Sequence, residues 1–478
     1  TLTIDADTDG SGGGTLTIAT GAAVNAGTGN AFDIDADDLA LSGTLVGAAA
    51  STIEDSDGTG IVLGDDTASL SGGLIVSGAE LQKITNSSSV EFITAGGITV
   101  DNVTAANSNN VAGDVILDAT GTIAFNTAAS TFNSLDAESD SLVDVNVNLT
   151  TDVGAISLEG DEDGTGAVTI ASGITVDSAG TLQLDAANTG IDVEGAATLS
   201  GEGITLSHAV TADDGTLTLD ADENSDGTGD STISNTLTAT SQNVVIEAND
   251  LTLSNTLTAA DVSVTVTDGA EISLADDTGA GMTVDSAEIA RFTVTNLEFD
   301  TTGTIEIDSL AASDTTNLSG ILKLDAGTDV VVKDTNNAFA ITNGLTLEAD
   351  DGVDLTLTAN NSLTTSAGNL LITADADADG ADTKDDITIT AAATPQLVAT
   401  AGSITLNASG GGNVDGTAGA LTLNAGNGIT INHSLTAGGT LTIDADTDGS
   451  GGGTLTIATG AAVNAGTGNA FDIDADDL

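Results

Sequence analysis

Apolar and polar residues alternate along this chain in short bursts. Leu217 and Leu219 flank Thr218, and Val262, Val264 and Val266 alternate with Ser263 and Thr265. The same pattern marks Leu345-Thr346-Leu347, Leu355-Thr356-Leu357, Ile404-Thr405-Leu406, Leu421-Thr422-Leu423, Ile429-Thr430-Ile431, Leu441-Thr442-Ile443 and Leu455-Thr456-Ile457. A period of two in aliphatic and β-branched residues predicts strands with one buried face. Each run is only about three to seven residues long, and Gly, Asn, Asp and Ala separate the runs as turn residues. No stretch keeps a helical period. Short strands with short turns and no helices can form antiparallel sandwiches or barrels, or wind as a β-solenoid. The solenoid fits best, because small aliphatic side chains stack on their like in neighbouring coils. Strand signals at Ile404, Leu421 and Leu441 recur at intervals of 17 and 20 residues. The expected fold is all-β, a parallel β-helix with no helices and a coil of roughly 20 residues.

The longest-range pattern is a duplication. Residues 1–39 and 440–478 both read TLTIDADTDGSGGGTLTIATGAAVNAGTGNAFDIDADDL, at an offset of 439. This predicts tandem copies of one unit, with 1–439 a complete unit and 440–478 the start of the next identical copy. One unit would hold about 20 coils and, at ~4.8 Å per coil, run for roughly 100 Å. A chain that gains reach by adding copies suggests a fibre, sheath or stalk. The two limits of the sequence both carry strand pattern rather than a cap, which favours end-to-end or lateral assembly with itself.

Composition narrows the choice. The chain has 1 Pro, no Cys, no Trp, no Tyr and 8 Phe, while 40% of its residues are hydrophobic. The core must therefore be aliphatic, and the chain can bury one, which argues against simple disorder. Seventy-three acids face five basic residues, Lys83, Lys323, Lys333, Lys384 and Arg291, for a net charge of −68. Such a charge repels nucleic acid and anionic membranes and calls for counter-ions. No apolar run approaches the roughly 18–20 residues that span a bilayer. Without cysteine there is no disulfide framework, and no signal peptide is visible.

The acids are organised. Five loops read Asp-Gly-Thr/Ser-Gly in an acidic setting and a sixth keeps its Asp-Gly. Their candidate metal ligands are Asp5, Asp7 and Asp9; Asp55 and Asp57; Glu159, Asp161 and Asp163; Asp222, Asn224 and Asp226; Asp375, Asp377, Asp379 and Asp386; and Asp444, Asp446 and Asp448. Oxygen ligands at alternate positions, followed by a glycine that permits a sharp turn, suit Ca²⁺. The loops are similar to the first half of an EF-hand loop without its helices. They lack its acid at position 12, where Leu16 follows Asp5; only the loop from Asp375 has one, Asp386. The glycine-rich nonapeptide of RTX solenoids does not repeat here. A solvated acidic turn is the competing explanation, and so is a halophile's generally acidic surface.

GALTLNAGNGITINHSLTAGGTLTIDA, residues 419–444, resembles the repeats of filamentous-haemagglutinin-type adhesins. These are very large bacterial surface proteins, often exported by two-partner secretion and folded as right-handed parallel β-helices. The resemblance implies an extracellular or cell-surface location, adhesion or scaffolding, and cell-surface or glycan ligands. No catalytic constellation is visible, so no enzymatic activity is expected. His208 and His433 stand alone and read as turn or surface residues. Arg291 is expected to pair with Glu288 rather than serve a polysaccharide lyase. Outward threonines such as Thr1, Thr3, Thr15, Thr17, Thr216 and Thr218 raise an ice-binding alternative, but threonine also simply favours exposed strand positions.

Overall fold

A computed structural model describes residues 1–10, 13–64, 73–160, 164–187, 190–275, 281–308, 310–334, 339–357, 362–377, 385–391, 394–409, 412–416 and 419–478. They divide into two compact units, Thr1–Asn224 with Thr228–Gln242, and Ser225–Gly227 with Asn243–Leu478. Both are all-β parallel solenoids.

In the first unit the chain visits three faces in turn. One coil runs through strands Leu135–Ser139, Leu142–Val145 and Leu149–Thr151, then returns to the first face at Ile156–Gly160. Each strand pairs in parallel with its equivalent one coil on, as in Leu135–Ser139 with Ile156–Gly160 and Leu142–Val145 with Ala167–Ile170. The register is the organising device. Phe92, Leu117, Ala137, Leu158, Leu184, Leu206 and Ile233 stand directly beside one another in successive coils. All seven are fully buried. A slip of one residue would turn this column to solvent, so burial fixes the register.

The second unit repeats the principle. Val264, Phe299, Leu324, Leu347, Ile372, Leu406 and Ile431 form one inward column. Phe292 and Phe299 meet edge to face with ring centres 6.4 Å apart. Seven of the eight phenylalanines are fully buried, so aromatics the sequence scatters are distributed along an inner wall.

The alternating runs of the sequence are strands here, with Val262–Val266 inside Asp261–Val266 and Leu345–Leu347 inside Gly344–Ala349. Coil length varies more than a simple 20-residue period. Val115 lies beside Leu135, 20 residues on, whereas Leu370 lies beside Ile404, 34 residues on. Turns absorb the difference. Many corners are closed by buried hydroxyls: Ser139 Oγ accepts from the amides of Ser141 and Leu142, each at 3.0 Å, and donates to the Gly121 carbonyl of the previous coil at 2.8 Å. Thr151 and Thr365 likewise donate to carbonyls three residues on, at 2.6 and 2.8 Å.

The expectation of no helices needs one refinement. Single turns occur at Gly78–Leu81, Ala105–Ser108 and Ser286–Ile289, with a 3₁₀ turn at Ala312–Thr315. Ser77 with Glu80, and Asp285 with Glu288, cap two of them by reciprocal side-chain and backbone hydrogen bonds. One turn is too short to show a period of 3.6. Among the described residues, no helix is long and apolar enough to cross a membrane.

Candidate metal centre

The outward faces carry the charge, and register stacks it. Asp5 lies beside Asp35, and Asp35 beside Glu54. Farther along the same face Asp118, Glu138, Glu159 and Asp185 form a second run of neighbours. Adjacent strands stand about 4.8 Å apart, so like charges are held at that spacing. Burial first, and the charges of Asp5, Asp33 and Asp37 second, push the Asp35 carboxyl above its ordinary range. Glu54 is raised by burial and then by Asp35 and Asp33. The second run ends at His208, whose Nδ1 lies 2.5 Å from Asp185 Oδ1. His433 Nδ1 accepts from the Ala408 amide at 3.2 Å, so both histidines tie one coil to its neighbour.

At a corner of the first unit three carboxylates converge. Strand Phe32–Ala36 delivers Asp37, and the next coil's strand Ser51–Asp55 delivers Asp55 with Asp57 in the turn that follows. One oxygen from each of Asp37, Asp55 and Asp57 lies within 4.8 Å of the other two. Asp37 and Asp55 are 5% and 3% exposed. Asp37 Oδ2 accepts from the amides of Gly13 and Gly14, and its Oδ1 accepts from Ser56 Oγ at 2.6 Å. The same hydroxyl lies 3.1 Å from Asp7 Oδ2 of the preceding coil. Asp55 Oδ2 accepts from the Gly60 amide at 2.7 Å and from Thr94 Oγ1 at 2.9 Å. Its Oδ1 is buried with no hydrogen-bond partner. Asp57 Oδ1 accepts from the Thr59 amide at 2.9 Å. Gly58 makes the turn, with φ of 65° and Ala95 Cβ only 3.0 Å from where its own Cβ would stand.

Burial and then the Asp57 charge raise the Asp55 carboxyl above its ordinary range, against the opposing hydrogen bonds from Gly60 and Thr94. Among the described residues, no basic side chain forms an ion pair with Asp37, Asp55 or Asp57. Oxygens within 4.8 Å of one another span no more than two calcium–oxygen bonds of about 2.4 Å, so the three can reach one hard cation.

The other loop acids are placed differently. Asp5 Oδ1 accepts the Asp7 amide at 3.1 Å, as Asp444 Oδ1 does for Asp446 at 3.2 Å, while Asp9 and Asp448 are exposed. Glu159 stands on a strand in the outward acid run. Asp161, Asp163 and Asp379 lie outside the described residues. Asp222 is buried and bridges Glu202 through its backbone, whereas Asn224 and Asp226 are exposed. Asp375 is fully buried at φ of 54°, with neither carboxylate oxygen hydrogen-bonded; Asp377 is exposed. Asp386 Oδ1 accepts the Asn413 amide at 2.7 Å. The converging group thus takes two acids from one loop, Asp55 and Asp57, and one, Asp37, that a single-loop rule omits.

Arg291 does not meet Glu288 as expected. Its Nη1 donates to the Leu253 carbonyl, while Glu288 Oε1 accepts the Leu253 amide at 2.9 Å, so the two side chains bracket one residue of the neighbouring coil.

Comparison with known protein families, with characterised proteins and with solved structures gives no match for this chain.

Proposed function

We propose that this chain is a segment of an extracellular structural fibre, sheath or adhesive stalk, built from tandem β-solenoid units and without catalytic activity. The observation that carries the reading is the in-register stacking of both units, together with the 39-residue duplication. A stack of near-equivalent coils has a length set by the number of copies, which is what a fibre requires. The resemblance to filamentous-haemagglutinin-type adhesins supports the same role and a surface location.

The cation belongs to this reading. Acids stacked at strand spacing repel one another, and a bound divalent ion offsets that repulsion where carboxylates converge. Calcium at Asp37, Asp55 and Asp57 would join two consecutive coils and stiffen the corner between them. It would also give Asp55 Oδ1 the partner it lacks.

Cryo-electron microscopy of the native material, with millimolar Ca²⁺ and after chelation, tests both parts. Continuous filaments with a layer spacing of ~4.8 Å support the fibre. Loosening after chelation supports the cation. Isolated compact particles would overturn the fibre, and filaments indifferent to chelation would overturn the role of calcium.

A further inference from the structure

The duplicated segment occurs twice in the structure, each time with a different neighbour. Within it nothing changes. Leu2 lies beside Phe32 and Ile4 beside Ile34 in the first copy; Leu441 lies beside Phe471 and Ile443 beside Ile473 in the second. Thr15 pairs with Asp38, and Thr454 with Asp477.

The covered face differs. In the first copy the following coil lies on the segment, with Ile34 beside Ile53 and Asp33 beside Thr52. Phe32 and Ile34 are then fully buried, while Leu2, Ile4 and Leu16 on the opposite side are only half-buried. In the second copy the preceding coil covers that opposite side, with Leu421 beside Leu441, Leu423 beside Ile443 and Ile429 beside Leu455. Leu441 and Ile443 are now fully buried and Leu455 is 1% exposed, while Phe471 and Ile473 are 47% and 37% exposed. The same side chains are open in one copy and closed in the other, according to which neighbour is present.

We infer that each open face is the seat of a second copy of the repeat, in a fixed register. The face of Leu2, Ile4 and Leu16 takes a coil with the sequence of residues 421–439, placing Leu421 on Leu2, Leu423 on Ile4 and Ile429 on Leu16. The face of Phe471 and Ile473 takes the sequence of residues 40–64, placing Ile53 on Ile473 and Thr52 on Asp472. No linker separates one repeat from the next, because the segment accepts both neighbours without changing its own pairing. The second junction also completes the acidic corner. Asp476 is the copy of Asp37, and the incoming Asp55 and Asp57 would join it. The inference rests on the tandem-fibre reading but is narrower: repeats tied by flexible linkers would keep the fibre and lose the junction.

The test extends the full chain after Leu478 with a copy of residues 40–64. The protein has no cysteine of its own. Asp472→Cys, paired with Thr52→Cys in the appended copy, should form a disulfide on mild oxidation. Asp33→Cys with Thr52→Cys, in a second variant, is the reference for the identical register. A disulfide in the reference but not across the appended copy overturns the junction. Hydrogen exchange of the cysteine-free extended chain gives an independent reading. The amides of Phe471–Asp474 should slow to the rates of Phe32–Asp35, and exchange unchanged by the extension overturns the inference.

Discussion

The side-chain amide of Asn86 donates to Ser51 Oγ at 2.9 Å, joining one coil to the coil before it. Asn86 Nδ2 also reaches the carbonyls of Ala49 at 3.0 Å and Ser89 at 3.1 Å, and its Oδ1 accepts the Ser88 amide at 2.9 Å. Ser51 Oγ in turn accepts the Phe32 amide at 3.1 Å. The room for this comes from Gly47, whose added Cβ would stand 2.9 Å from both Asn86 Nδ2 and Ser51 Oγ. Asn86 is 1% exposed, so its loss strands buried carbonyls. Asn86→Ala should destabilise this corner by about 1–3 kcal/mol, the cost of leaving buried polar groups unpaired. Gly47→Ala should do comparable damage by steric displacement. Hydrogen exchange at residues 47–51 and 86–90 is the measurement; unchanged protection in both variants would remove the asparagine's structural role.

Lys323 does for charge what Asn86 does for hydrogen bonds. Its ammonium lies 2.7 Å from Asp325, 2.8 Å from Glu348 and 3.0 Å from Glu298, acids of three successive coils. Burial works to lower the lysine's pKa, but hydrogen bonds from Asp325, Glu348 and Glu298 outweigh it and raise the group well above its usual range. Lys323→Gln leaves three stacked carboxylates without their cation. The side chain is 26% exposed, so screening limits the loss to about 1 kcal/mol. The loss should be larger at low ionic strength than in molar salt. Thermal unfolding of both proteins across a salt series checks this, and a salt-independent difference would mean that lost packing rather than lost charge is responsible.

Strands were legible in the sequence because each depends only on its own alternation, as Asp261–Val266 and Gly344–Ala349 do. What depends on neighbouring coils was not. Asp37 and Asp55 come together because Ala36 pairs with Asp55, a register that no spacing within one loop encodes. The outward run Asp118, Glu138, Glu159 and Asp185 is hidden for the same reason: four acids on different coils become neighbours only when the coils are stacked. Coil length was underestimated because the regular stretch near Leu421 and Leu441 does not represent the longer loop between Leu370 and Ile404. The one-turn helices had a readable trace in Ser77-Gly-Ala-Glu80 and Asp285-Ser-Ala-Glu288, a capping pattern without the apolar run that usually follows it.

Stacked acids set the response to pH. Burial raises the carboxyls of Glu91, Asp118 and Asp136, each helped by a neighbouring acid. Asp300 is raised by burial and then by Asp325 and Glu298, against the opposing charge of Lys323. A carboxyl raised in the folded state binds its proton more tightly there than in the unfolded chain. Its stabilising contribution is therefore complete below the unfolded value, near 4 for these residues, and is lost as pH rises through the folded value. Asp448, lowered by its hydrogen bonds from Ser450, acts in the opposite sense but is one group among many. The melting temperature in chelator should rise as pH falls from 7 toward about 4. A fall over that range would mean that attractive interactions of the carboxylates outweigh their mutual repulsion.

The acidic corner gives a test in which two signs must change together. Asp55 is nearly excluded from solvent, its Oδ1 has no partner, and its carboxyl is raised by burial and by Asp57. Asp55→Asn removes one of three converging charges and replaces an oxygen with a donor able to face Asp37 or Asp57. Without divalent ions the variant should be more stable than the parent, by roughly 1 kcal/mol if the relief of repulsion is comparable to one pKa unit. With millimolar Ca²⁺ the order should invert, because the parent gains a bound cation and the variant has lost a charged ligand. The invariant reference is Asp9→Asn, at an exposed acid outside the converging group, which should leave the calcium response intact. Melting curves of the three proteins in chelator and in calcium decide the matter. If Asp55→Asn stabilises in chelator and keeps the full calcium response, the corner is a site of repulsion alone, and the cation is held elsewhere on the chain.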